Sequence, residues 1–179
     1  MKLLCIDTET TGLHPDKASL ISIGLAVWDD GLIRGTKQIN IKPEFYKIEP
    51  TYLKDGFVIK EHEKDAISID KARRQFVSFL KQNFIDHDKI MLLGHNIQFD
   101  LKFLKPELGE EFMNQLFGTQ VIDTCCIIRY LVQCGKLPEN VVPANIWQHF
   151  ELKPGNNTEE GVISICKLYN KLIELVVRE

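Results

Sequence analysis

No uninterrupted apolar run in this 179-residue chain approaches the roughly 18 residues that a membrane-spanning helix requires, and no membrane role is expected. The opening stretch Met1 to Ile6 meets an acidic residue at Asp7, too early for a secretory leader, so a cytoplasmic protein is expected. The five cysteines form no CxxC pair and their number is odd, which argues against a zinc knuckle or a disulfide framework and leaves buried thiols as the expectation. Positive charge is scarce as well. Lys and Arg number 22 against 25 Asp and Glu, a net charge of −3, so the surface as a whole cannot hold a long polyanion. Contact with nucleic acid has to be local or cation-assisted, which argues against a duplex-coating or sequence-reading protein. Repeats, low-complexity tracts and an internal linker are also lacking, so residues 1–179 read as one domain.

What is there has the rhythm of an α/β domain. Lys2 to Asp7 and Leu20 to Trp28 are runs of strand-forming residues, and Asp29-Asp30-Gly31 signals a turn before a third strand near Leu32 to Ile41. Residues 43 to 66 show no clear period and read as a long surface excursion. Ala72, Phe76, Phe79, Leu80 and Phe84 recur at helical spacing, with Ser68 or Asp70 as N-cap. Ile90 to Gly94 is a compact apolar strand of the kind covered on both faces. Leu101 to Leu104 and Glu110 to Leu116 read as helices separated by Pro106 and Gly109. Val121 to Asp123 reads as a strand, with Asp123 capping the following helix to Gln133. Pro143 to Phe150 and Thr158 to Val177 complete the helices, the last with a stripe of Val162, Ile165, Cys166, Tyr169, Leu172, Ile173 and Val176.

The chemistry concentrates where the apolar strands stop. In Asp7-Thr8-Glu9-Thr10-Thr11-Gly12, the carboxylates of Asp7 and Glu9 stand two apart and share one face of a strand. Two close acids repel unless a cation lies between them, which suits Mg²⁺ or Mn²⁺. The alternative is an exposed acidic strand end. The flanking Thr10, Thr11 and Gly12 are small enough to let backbone approach a phosphate ester, and Thr8, Thr10 and Gly12 are candidate substrate-binding residues. A second constellation, Gly94-His95-Asn96-Ile97-Gln98-Phe99-Asp100, follows the buried strand and adds the third acid, Asp100.

DTETTGL together with GHNIQFDLKFL resembles the first two motifs of the DEDD exonuclease superfamily, the DnaQ-like proofreading type related to the polymerase epsilon subunit, and Val121-Ile122-Asp123-Thr124 resembles a later strand end of that family. The resemblance implies an RNase H-like mixed sheet flanked by helices. It also implies 3′-to-5′ removal of nucleotides from single-stranded DNA or RNA, and two metal ions held by four acids, or one ion if the site is incomplete. By resemblance Asp7 touches both metals, Glu9 binds the water-activating metal, Asp100 acts largely through metal-bound waters, and Leu13 wedges against the terminal base unless it merely packs. His95, Asn96 and Phe99 stand beside the substrate, although His95 and Asn96 more naturally fix the strand-to-helix turn. A polymerase or another protein partner is compatible with the resemblance.

The third motif departs from the pattern. The family opens its last helix with His-x-Ala-x-x-Asp, and here the aligned positions hold Asn156 and Gly161. An asparagine cannot accept a proton near neutral pH, and general-base help is typically worth about 10² to 10⁴ in rate. Two expectations follow. A one-residue slip of the first helical turn brings Glu160, or Glu159, to the metal and preserves turnover. Otherwise the chain is an inactive exonuclease fold kept as a nucleic-acid-end or protein-binding module, with both glutamates only favouring the helix N-terminus.

Overall fold

The computed structural model describes residues 1–50, 58–84 and 89–177. Three antiparallel strands open the chain: β1 (Lys2–Thr10), β2 (Leu20–Asp29) and β3 (Leu32–Lys42). Within the excursion, whose residues 51–57 lie outside the described part, α1 (Ile59–Asp65) and β4 (Ile67–Ser68) form. There follow α2 (Ile69–Asn83), β5 (Ile90–Gly94), α3 (Ile97–Leu108), α4 (Glu110–Leu116), β6 (Phe117–Asp123), α5 (Thr124–Gln133), the single turn α6 (Ile146–His149) and α7 (Thr158–Val177). Among the described residues the strands make one mixed sheet in the order β4-β3-β2-β1-β5-β6, with β5 parallel to both β1 and β6. The expected RNase H-like arrangement of a mixed sheet flanked by helices is the one observed.

Alternation along β1 sorts the core into two layers. Leu4 and Ile6 join Ile23, Leu25 and Val27 under α2 and α3, where Phe76, Phe103 and Leu104 complete the packing. Leu3 and Cys5 join Ala26, Trp28 and Leu93 under α7, against Val162, Ile165, Cys166 and Tyr169. A third cluster fixes α5 and α6 to the back of α7 through Ile128, Leu131, Ile146, Leu168 and Leu172. Each such side chain contributes about 1.5–3 kcal/mol relative to exposure, enough to hold the sheet edge and helix ends that carry the polar residues.

Several boundaries differ from expectation. The first strand runs through the acidic motif to Thr10, because Thr8, Glu9 and Thr10 continue pairing with Ile23, Ser22 and Leu20. Pro106 lies inside α3 and does not divide it, since Leu104 and Leu108, fully buried on either side, hold the turn. Gly109, at φ +96°, ends that helix. The helix expected over residues 143–150 shrinks to α6, and Ser68 caps α2 with no side-chain hydrogen bond. Val176 is exposed while Leu168 joins the stripe of α7. Of the thiols, Cys5, Cys125 and Cys166 are buried, but Cys126 on α5 and Cys134 just after it are exposed.

Candidate metal and nucleic-acid site

The polar end of β1 faces two ways. Thr8 points into the α3 layer and donates from Oγ1 to Asp100 Oδ1 at 2.6 Å. Asp100 is only 3% exposed, and burial, reinforced by the charge of Asp7, pushes its carboxyl pKa up to about 8. Such a group keeps its proton at neutral pH unless a cation offsets the negative charge beside it. Asp7 and Glu9 share the opposite face of β1. Glu9 lines a polar cleft of about 270 Å³ with Ser22, Gln38, Asn40 and His62.

The donor set can be tested against a hard cation. Among the described residues no three His, Cys, Asp or Glu side chains close into a metal cage. Mg²⁺, however, is commonly held by one or two carboxylates and completed by waters and substrate phosphate. Asp7 and the buried Asp100, whose charges act on each other, with Glu9 following on the strand, fit such an open site.

The loop after β1 is tied to a segment that had no legible signal. Thr10 Oγ1 donates to the Gly12 carbonyl at 2.7 Å, turning the chain at once. Glu49 then receives the Leu13 amide at Oε2 (3.0 Å) and, at Oε1, the His14 amide (3.2 Å) and His14 Nδ1 (2.9 Å). These donors hold the Glu49 carboxyl below its usual pKa. Gly12 makes the approach possible, because a Cβ there would lie 2.7 Å from Glu49 side-chain carbons. Leu13 is left 48% exposed at the tip.

At the end of β5, His95 Nδ1 lies 2.8 Å from Thr124 Oγ1 and its ring rests on Trp147, with centroids 5.1 Å apart. Burial lowers its pKa. Asn96 is exposed in the left-handed conformation (φ 62°), and its amide donates to Asp123 Oδ1, which also caps α5 by accepting from the Cys125 amide, both at 2.9 Å. His95 and Asn96 therefore fix the turn that delivers α3, and Asp123 is the expected cap. Phe99, half-buried, packs its ring 5.2 Å from Phe103.

The first turn of α7 sits directly on the cross-strand pair formed by Asp7 and Gly24. A Cβ on Gly24 would fall 2.1 Å from the Thr158 carbonyl oxygen, and one on Gly161 would fall 2.1 Å from Asp7 Oδ2. Position 161 is thus the α7 residue turned toward the acids, and it brings no ligand. Glu160 does not replace it. Its Oε2 accepts from both the Asn156 amide and Asn156 Nδ2 at 2.9 Å, while its own amide donates to Asn157 Oδ1 at 2.9 Å, a helix cap resembling a capping box but with its return bond on the residue before the cap, on the exposed side. Glu159 accepts from Thr36 Oγ1 at 2.5 Å. The expected slip is absent because the cap fixes the register: of the residues expected at the site, Asp7, Glu9 and Asp100 are brought to one end of the sheet and Glu160 is not.

Comparison with known proteins gives the family and the fold. The model of the RNase T exonuclease family matches residues 4–148. The chain belongs to that exonuclease family. No curated protein matched. Among solved structures, the chain is similar to cell-death related nuclease 4 (16% identity, TM-score 0.76), covering 97% of this chain and 64% of that one. It is also similar to the nuclease domain of 3′hExo, a DEDDh family member bound to rAMP (14% identity, TM-score 0.69), over 97% and 92% of the two chains. A third likeness is to E. coli exonuclease I in complex with a dA16 oligonucleotide (15% identity, TM-score 0.72), over 97% and 40%. This exonuclease-family chain therefore spans less than two thirds of the length of cell-death related nuclease 4 and of exonuclease I. The family match ends before α7 begins, so the altered turn at residues 156–161 lies outside it.

Proposed function

We propose that this exonuclease-family chain binds the 3′ end of single-stranded DNA or RNA and removes nucleotides from it slowly. The observation that carries the reading is the buried Asp100 carboxyl beside Asp7, whose burial and neighbouring charge disfavour ionisation and would be offset by a bound cation. Asp7 and Asp100, with Glu9, would hold Mg²⁺ or Mn²⁺. Thr8 orients Asp100, Leu13 offers an apolar edge to the terminal base, and the turn at His95 and Asn96 delivers Asp100 from α3 to the sheet end. A divalent cation, when bound, would supply acidification of water and neutralisation of phosphate charge. With Asn156 unable to take a proton, the attacking water must lose its proton to solvent, so the rate should rise with pH.

A second reading, an end-binding module without turnover, is favoured by the glycine at 161 and by the outward engagement of Glu159 and Glu160. Release of labelled nucleotide from single-stranded DNA and RNA, in Mg²⁺ and in Mn²⁺, separates the two when the native chain is compared with Asp7→Ala. Release that vanishes in the variant supports the nuclease. Equal zero rates with retained 3′-end binding support the module.

A further inference from the structure

We propose that Glu49 is a positioning residue for the 3′-terminal nucleotide, acting through the turn that carries Leu13; this rests on the 3′-end reading above. An exposed leucine on a loop is a poor wedge unless the loop is fixed, because ordering it on binding costs conformational entropy. Here the fixing is supplied before any ligand arrives. Glu49 accepts three hydrogen bonds from Leu13 and His14, its amide donates to the Thr11 carbonyl at 3.0 Å, and Thr11 Oγ1 donates to the Lys47 carbonyl. Ser19 closes the other side, receiving the Lys47 amide at Oγ (2.9 Å). The two segments thus form one stitched unit starting one residue beyond β1, and among the described residues the Glu49 carboxylate is the side chain that hydrogen-bonds to the Leu13 tip.

Glutamate suits the task better than a neutral residue. Two oxygens are needed to serve the Leu13 and His14 amides separately, and hydrogen bonds to an ionised acceptor are the stronger kind. Gly12, with no Cβ, leaves room for the side chain to lie across the turn.

The test is binding of a single-stranded oligonucleotide carrying 2-aminopurine at its 3′ terminus, measured in Ca²⁺ to suppress turnover, beside a strand with the probe placed internally. Glu49→Ala should weaken binding about tenfold and remove the terminal-probe signal while leaving the internal-probe signal in place, and Glu49→Gln, which keeps one acceptor oxygen, should fall between. Leu13→Ala should do the same, and Leu13→Ala with Glu49→Ala should bind within about twofold of Leu13→Ala alone, the non-additivity expected of one unit. Multiplying effects, or parental terminal-probe behaviour in Glu49→Gln and Glu49→Ala, overturns the proposal. Failure of the parent chain to bind either strand overturns the 3′-end reading and this proposal together.

Discussion

At one end of the sheet Asp100 is held buried by Thr8 beside Asp7, whereas at the start of α7 Glu160 is turned away to close the helix end and Glu159 accepts from Thr36. Asp100 is desolvated and strained electrostatically by Asp7; the Glu160 carboxylate is exposed and accepts from the Asn156 amide and side chain. The contrast teaches that proximity in sequence to a motif position does not make a carboxylate a ligand. An acid is poised for a cation where burial and a neighbouring acid disfavour its charge, as at Asp100, whereas Glu160 is exposed and engaged by Asn156.

The sharpest way to break this contrast is to remove the strained pair. Asp7→Asn should reduce nucleotide release by at least about 10²-fold, a loss of the size seen when a preorganised charge interaction is deleted, with little loss of folding stability. Release unchanged by this substitution would place the chemistry elsewhere.

Asp100 gives a pH signature next in size. Its folded pKa, about 8, lies above the ordinary 3.8, so the folded chain binds the extra proton between those values. Stability of the metal-free chain is therefore full below about pH 4, falls as pH rises, and reaches its floor above about pH 8. Thermal melts should show a decline of several degrees across that window. Asp100→Asn should flatten it, and Mg²⁺ should oppose it. A melting temperature that climbs from pH 5 to 8 without metal would contradict the assignment.

Gly161→Ala probes the other side. Helix propensity alone favours alanine by about 1 kcal/mol, but the added Cβ would meet Asp7 Oδ2 at 2.1 Å. The substitution should instead destabilise by about 1–3 kcal/mol, through overpacking against the Asp7 carboxyl. In an Asp7→Ala background the sign should reverse, which urea unfolding of the four chains would read directly.

The smallest effect is expected at the helix cap. Glu160→Ala should cost about 0.5–1 kcal/mol of stability and leave any nucleotide release unchanged. A large loss of release would revive Glu160 as a ligand.

Much of the site was legible because it obeys local rules. The period-two spacing put Asp7 and Glu9 on one face, the apolar run before Gly94 announced a buried strand, and Asp123 announced a cap. What escaped depends on long-range contact. Glu49 is one glutamate in a stretch without periodicity, and its partners lie 35 and 36 residues away. The extension of β1 to Thr10 follows from pairing with β2, and the run of α3 through Pro106 from burial of Leu108. The span of α7 was legible from its apolar stripe, but the engagement of Glu160 by Asn156 and of Glu159 by Thr36 was not, because a side chain's hydrogen-bond partner leaves no periodic signal.

Gly24 has an effect that reaches past packing. Because it pairs with Asp7 on the next strand and carries the Thr158 carbonyl on its bare Cα, it acts as a bearing for the whole first turn of α7. Any side chain there would lift that turn and with it residue 161, altering the surroundings of Asp7 from a strand that bears none of the candidate metal-binding acids. A variant at this glycine would then read in an assay as a defect of the acids, although every acid was intact.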